Sequence, residues 1–92
     1  MSDAWGWEYN PDEEHVAGGI PAAVVAVVER LAGELAELAS MGADLDHIGY
    51  RQDRQPGGLR EMRTAGGFFF FLVSPRDRSI VITRIIPPFK DL

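Results

Sequence analysis

An α+β fold is predicted, on three observations. Residues 59–86 read as three β-strands in succession, residues 21–40 carry apolar side chains at helical spacing, and residues 5–9 alternate aromatic with small or charged side chains. The chain order is therefore an N-terminal strand, a helical region, and a C-terminal run of strands. At 92 residues it is read as a single domain over 1–92, long enough to bury one modest core.

The first strand is predicted around Trp5 to Tyr9, where Trp5, Trp7 and Tyr9 share one face and Gly6 and Glu8 the other. Asn10-Pro11-Asp12-Glu13-Glu14 then opens a helix: Asn can cap, Pro suits the first helical position, and three acids favour the positive end of the helix dipole. Gly18-Gly19 and Pro21 keep that helix short. Pro21 opens a longer helix reaching about Ser40, with Val24, Val27, Val28, Leu31, Leu35 and Leu38 as its apolar stripe and Glu29, Glu34 and Glu37 off it. Gly33 inside this helix costs about 1 kcal/mol relative to Ala, which suggests a close helix–sheet approach, and Gly42 is the expected C-terminal cap glycine.

Residues 43–58 read as mostly loop. The three strands follow as Leu59–Thr64, Phe68–Ser74 and Ser79–Ile86, joined by turns at Ala65-Gly66-Gly67 and Pro75-Arg76-Asp77-Arg78. Phe68 to Val73 is apolar at every position, as expected of a central strand covered on both faces. Strict alternation in the last strand puts Ile80, Ile82, Arg84 and Ile86 on one face and Val81, Thr83 and Ile85 on the other. Pro87-Pro88 ends the pairing.

Composition removes several classes of function. With no cysteine, disulfides and thiol chemistry are excluded. No apolar run approaches the roughly 18–20 residues that span a bilayer. The acidic N-terminus lacks the basic and apolar segments of a signal peptide, so a cytoplasmic protein with no membrane partner is expected. No glycine-rich phosphate loop is present, and His15 and His47 lack metal-ligand spacing, so neither cofactor nor metal is expected. The charge is unevenly divided. Residues 1–46 hold ten acids against Arg30 alone, and residues 47–92 hold eight bases against four acids, for a net charge of −5. The basic half suits phosphates or an acidic partner.

The chemistry-bearing candidates are thus the basic residues of the second half. Arg60 and Arg63 face opposite sides of their strand. Arg84 is the single charge in an apolar strand, either paired with Glu61 or a residue at the sheet edge, or acting as a phosphate or carboxylate clamp, which the planar guanidinium does well.

The segments Trp7-Glu8-Tyr9-Asn10-Pro11, Ile20-Pro21, Gly58-Leu59-Arg60-Glu61-Met62-Arg63 and the strand pair 68–74 and 80–86, in this order and spacing, resemble the RelE/ParE toxin superfamily across nearly the whole chain. The resemblance implies helices, short then long, packed on one face of a twisted, mainly antiparallel sheet. It implies the toxin of a type II toxin–antitoxin pair, with an antitoxin protein as partner. In one branch such toxins are metal-independent, ribosome-dependent mRNA endoribonucleases that hold phosphates with basic residues and activate the ribose 2′-hydroxyl with an acid–base pair. In the ParE branch they inhibit gyrase and need no nuclease site. Carried over, Arg60, Arg84 and Lys90 stand as catalytic candidates, and Arg51, Arg54, Arg60, Arg63 and Arg84 as RNA- or phosphate-binding ones.

The chain departs from the family where its central strand begins Phe68-Phe69-Phe70-Phe71 instead of with an Arg beside an aromatic. It departs again where Ile86 is followed by Pro87-Pro88-Phe89 instead of by His, Lys or Tyr. Lys90 is left as the titratable tail group, and an ordinary lysine pKa of about 10.4 makes it a poor base near neutral pH. Two functions follow as expectations: a weak or degenerate endoribonuclease toxin, or a non-catalytic protein-interaction module of the same fold, either a gyrase inhibitor or an inactive paralogue. A homodimer is open to both.

Overall fold

The computed structural model describes residues 4–43, 45, 50–51, 58–64 and 67–87. The fold is α+β: two helices pack against one face of a mixed sheet. The elements run β1 (Gly6–Tyr9), α1 (Glu13–Ala17), α2 (Ala22–Ser40), β2 (Tyr50–Arg51), β3 (Arg60–Thr64), β4 (Gly67–Ser74) and β5 (Ser79–Ile86). The sheet order is β1-β5-β4-β3-β2, so the phenylalanine-rich β4 is central, as its composition predicts. Four strands of four to eight residues do most of the pairing. The fifth, β2, is a two-residue edge strand inside the segment read as loop. The expected meander β3-β4-β5 is antiparallel, and β1 adds to it in parallel, with Trp7 opposite Ile80 and Tyr9 opposite Ile82.

Local chemistry sets the helix boundaries, with one correction to the expected start. Asp12, not Asn10, caps α1: its carboxylate accepts from the His15 backbone N–H at 2.8 Å, and the helix begins at Glu13, beyond Pro11. The carboxylate also meets His15 Nδ1 at 2.8 Å. These hydrogen bonds, the backbone one first, hold Asp12 below the usual carboxylate pKa. The C-terminus of α2 closes as a Schellman motif. Gly42 has φ +84°, its N–H donates to the Ala39 carbonyl, and the Ala43 N–H donates to the Leu38 carbonyl, each at 3.0 Å.

The core lies between α2 and one face of the sheet. Phe69, Phe71, Ile80, Ile82 and Val28 are fully buried. At about 25 cal/mol per Å² of apolar surface, each phenylalanine contributes roughly 2–3 kcal/mol. On α2 the buried set is Val24, Val28, Ala32, Leu35, Ala36 and Ala39. The helix is therefore rolled toward its alanines relative to the expected Val27–Leu31–Leu38 line, and Leu38 is left exposed. Small side chains on the buried line let the helix sit close over the bulky phenylalanines. Gly33 is not the contact point: a Cβ added there would meet nothing within 4 Å.

The faces of β5 also differ from strict alternation. The register shifts between Phe70 and Phe71: Phe70 pairs with Arg84, Phe71 pairs with Ile82, and Thr83 is the extra residue. This bulge reverses the parity of the strand beyond it. Ile85 joins Ile80 and Ile82 in the core, while Arg84 and Ile86 move to the face that carries Val81.

Candidate functional site

The parity reversal decides which arginines can act together. On the helix-covered face, Arg60 (β3), Phe71 (β4), Ile82 (β5) and Tyr9 (β1) stand side by side across four strands. On the opposite face the corresponding row is Glu61, Phe70 and Arg84, and the next is Arg63, Phe68 and Ile86. The sheet therefore separates Arg60 from Arg63 and Arg84.

Arg60 is 2% exposed and donates from Nη1 to the carbonyl of Leu45 at 2.7 Å. That hydrogen bond ties the chain beyond α2 to β3. A guanidinium so placed does not reach a nucleic-acid phosphate in solvent, so in this fold Arg60 joins no surface site with Arg63 and Arg84. A buried charge needs hydrogen bonds to be tolerated, and the Leu45 carbonyl supplies one of them.

Arg63 and Arg84 are both exposed on the open face, at the flanks of β4. Arg63 Nε lies 3.1 Å from Glu61 Oε2, so the expected partner of Arg84 pairs instead with the nearer guanidinium on its own strand. Arg84 itself makes no hydrogen bond or ion pair among the described residues. Between the two lie Phe68 and Phe70, edge to face with ring centroids 5.7 Å apart. Leu72 and Ile86 extend the apolar surface beside Val81, which is itself buried. None of these five belongs to the core cluster or packs against it, so they form a second apolar layer. No helix or strand among the described residues covers it. Arg51 is placed by its backbone alone, in β2 opposite Arg60. Arg54 and Lys90, with His47, Pro88 and Phe89, lie outside the described residues.

The helix side carries the acidic half. An open groove of about 490 Å³ between α1 and α2 is lined by Glu13, Glu14 and Glu29 over Ala22 and Val25. The Tyr9 hydroxyl donates to Glu29 Oε2 at 2.8 Å. Burial of the phenol, followed by that hydrogen bond and the Glu29 charge, pushes the Tyr9 pKa up beyond its ordinary range. Among the described residues no three His, Cys, Asp or Glu side chains are grouped to hold a metal ion, and no helix is long and apolar enough to cross a membrane.

Sequence reasoning missed the open-face layer, because a wholly apolar β4 suggests cover on both sides. The signal that would have found it was the absence of a second helical segment long enough to supply that cover. Compared with family models, curated proteins and solved structures, the chain finds no match.

Proposed function

We infer that the chain is a non-catalytic protein-interaction module on a RelE/ParE-like scaffold. One observation carries this reading: the centre of the open sheet face is apolar, with Phe68, Phe70, Leu72 and Ile86 half-buried between the charged groups of β3 and β5. A contiguous apolar patch rimmed by charge gains by exchanging water for a protein surface, and the rim orients the partner. The scaffold assignment is part of the proposal. It is supported by the succession of strand, short helix, long helix and antiparallel meander. Primer extension on mRNA from cells expressing the chain tests the reading. Unbroken transcripts are expected, and cuts phased with codons would overturn it.

A second reading, the toxin of a type II toxin–antitoxin pair acting as a weak ribosome-dependent endoribonuclease, draws on a different observation. Arg63 and Arg84 share one face with two edge-to-face phenylalanine rings. Guanidinium groups beside aromatic faces suit phosphate and base respectively. This reading also brings the antitoxin protein as partner. Growth arrest on expression, relieved by Arg63→Ala/Arg84→Ala, would support it. Growth equal to that of an empty vector would reject it.

A further inference from the structure

The sheet is open along the outer edge of β1. That strand stands last in the strand order and pairs with β5 alone. In a parallel ladder alternate residues turn their N–H and C=O toward the neighbouring strand, and the others turn theirs away. The Gly6 and Asn10 amides donate to the Arg78 and Ile82 carbonyls, each at 3.0 Å, so the backbone groups of Trp7 and Tyr9 point outward. This open stretch has two limits. The outward amide of Trp5 is taken by Ser40 Oγ at 2.8 Å, and Pro11 has no N–H to offer. Between those limits, the amides of Trp7 and Tyr9 have no partner among the described residues.

The edge runs up to the acidic groove. Glu29 accepts from the Tyr9 hydroxyl and also lines the opening of about 490 Å³ between α1 and α2, so edge and groove meet at one carboxylate. Glu13 and Glu14 line the same opening, and no base does. Its remaining lining residues, Ala17, Gly18, Ala22, Val25 and Ala26, are none larger than valine, which leaves room for an incoming side chain. We propose that β1 accepts an extended segment of a protein partner as a further strand, with a lysine or arginine of that segment, opposite Tyr9, turned into the groove at Glu29. The site lies apart from the open sheet face and goes beyond the reading given for it.

Strand addition draws its affinity from main-chain hydrogen bonds and its specificity from pockets for alternate side chains, so it does not depend on a large buried area. Trp7 and Tyr9 together offer two outward donors and two outward acceptors. A residue opposite Tyr9 turns its side chain to the same face as Tyr9, which is the helix side. From there a long basic side chain lays its apolar stem over Ala22, Val25 and Ala26 and brings its charged end to the carboxylates. Glu29 gives Oε2 to Tyr9, and a carboxylate accepts more than one hydrogen bond. Glu13 and Glu14 make no ion pair among the described residues. The half-buried rings of Trp7 and Tyr9, edge to face at 5.1 Å, add apolar contact for the incoming strand. An edge this short makes the contact a transient one.

Amide hydrogen exchange on the isotope-labelled chain tests the proposal, with a short capped peptide of alternating Lys and Thr as probe and a Glu and Thr peptide as its control. In the free chain the Trp7 and Tyr9 amides should exchange fast and those of Gly6 and Asn10 slowly. The Lys peptide should protect Trp7 and Tyr9, and the Glu peptide should not. N-methylation of the peptide at its lysines or at its threonines should abolish binding in one case and spare it in the other, because one set alone faces β1. Glu13→Gln/Glu14→Gln should cut the affinity for the Lys peptide about tenfold at low salt. Glu34→Gln/Glu37→Gln, exposed on α2 outside the groove, should leave it unchanged. Trp7 and Tyr9 amides that stay unprotected with the Lys peptide present would overturn the proposal. So would two methylated peptides that bind alike, or equal losses from the two glutamate pairs. None of these results bears on mRNA cleavage, which decides the non-catalytic reading separately.

Discussion

The phenolic oxygen of Tyr9 lies 2.8 Å from Glu29 Oε2 and donates to it, so a strand at the edge of the sheet is fastened to the middle of α2. Burial and the Glu29 carboxylate both disfavour the tyrosinate, and Glu13 adds to the effect. The folded-state pKa is therefore raised above the unfolded value of about 10. A raised pKa contributes stability that is complete below the unfolded value and is lost as pH climbs from there toward the folded one. Denaturant midpoints should accordingly fall above about pH 10, and Tyr9→Phe should flatten that fall. The same variant should cost about 1 kcal/mol at neutral pH, from one hydrogen bond to a half-exposed charged acceptor.

Two glycines of the same helical segment should respond with opposite sign. A methyl at Gly33 meets no atom within 4 Å, and the residue sits inside α2. Gly33→Ala should raise stability by about 0.5–1 kcal/mol, because Ala loses less conformational freedom on folding. Gly42 holds φ +84° in the Schellman motif, and Gly42→Ala should lower stability by about 1 kcal/mol. Urea titrations of both variants check the pair, and equal signs would contradict the geometry of this terminus.

Arg60 behaves as a core residue in this fold. Arg60→Ala should cost about 2–4 kcal/mol by removing a buried side chain and leaving the Leu45 carbonyl without its donor. Thermal melts at matched concentration test this. A loss below about 0.5 kcal/mol would place Arg60 at the surface after all.

The two faces of the central strands should separate cleanly. Phe71→Ala should cost about 3–5 kcal/mol, since the ring is fully buried under α2. Arg84→Ala, exposed on the other side, should stay within about 0.5 kcal/mol of wild type. A large loss from Arg84→Ala would show that the guanidinium supports the fold itself.

The succession of elements was legible because each carries a local signal. The Trp7–Tyr9 alternation, the helix between two Gly/Pro-rich boundaries and the Pro75–Arg78 turn each act within a few residues. What could not be read required distant partners. Nothing local to Thr83 marks it as the extra residue, because the bulge exists only relative to β4, and with it the true faces of Arg84 and Ile85 were hidden. The roll of α2 toward Ala32, Ala36 and Ala39 likewise answers to the width of Phe69 and Phe71 across the core, not to hydrophobicity along the helix. For the candidate site, Arg63 and Arg84 were legible as strand arginines. Their shared face, and the exclusion of Arg60 from it, became visible only with the register.

The parallel pairing of β1 with β5 has a kinetic consequence. Trp7 finds Ile80 more than seventy residues downstream, and both helices rest on β5. During synthesis the N-terminal half emerges with its aromatic strand and its valine-rich helix but without the template that orders them. The nascent chain holds those surfaces in water until Ser79–Ile86 arrives, the delay that contacts of long sequence separation impose on folding.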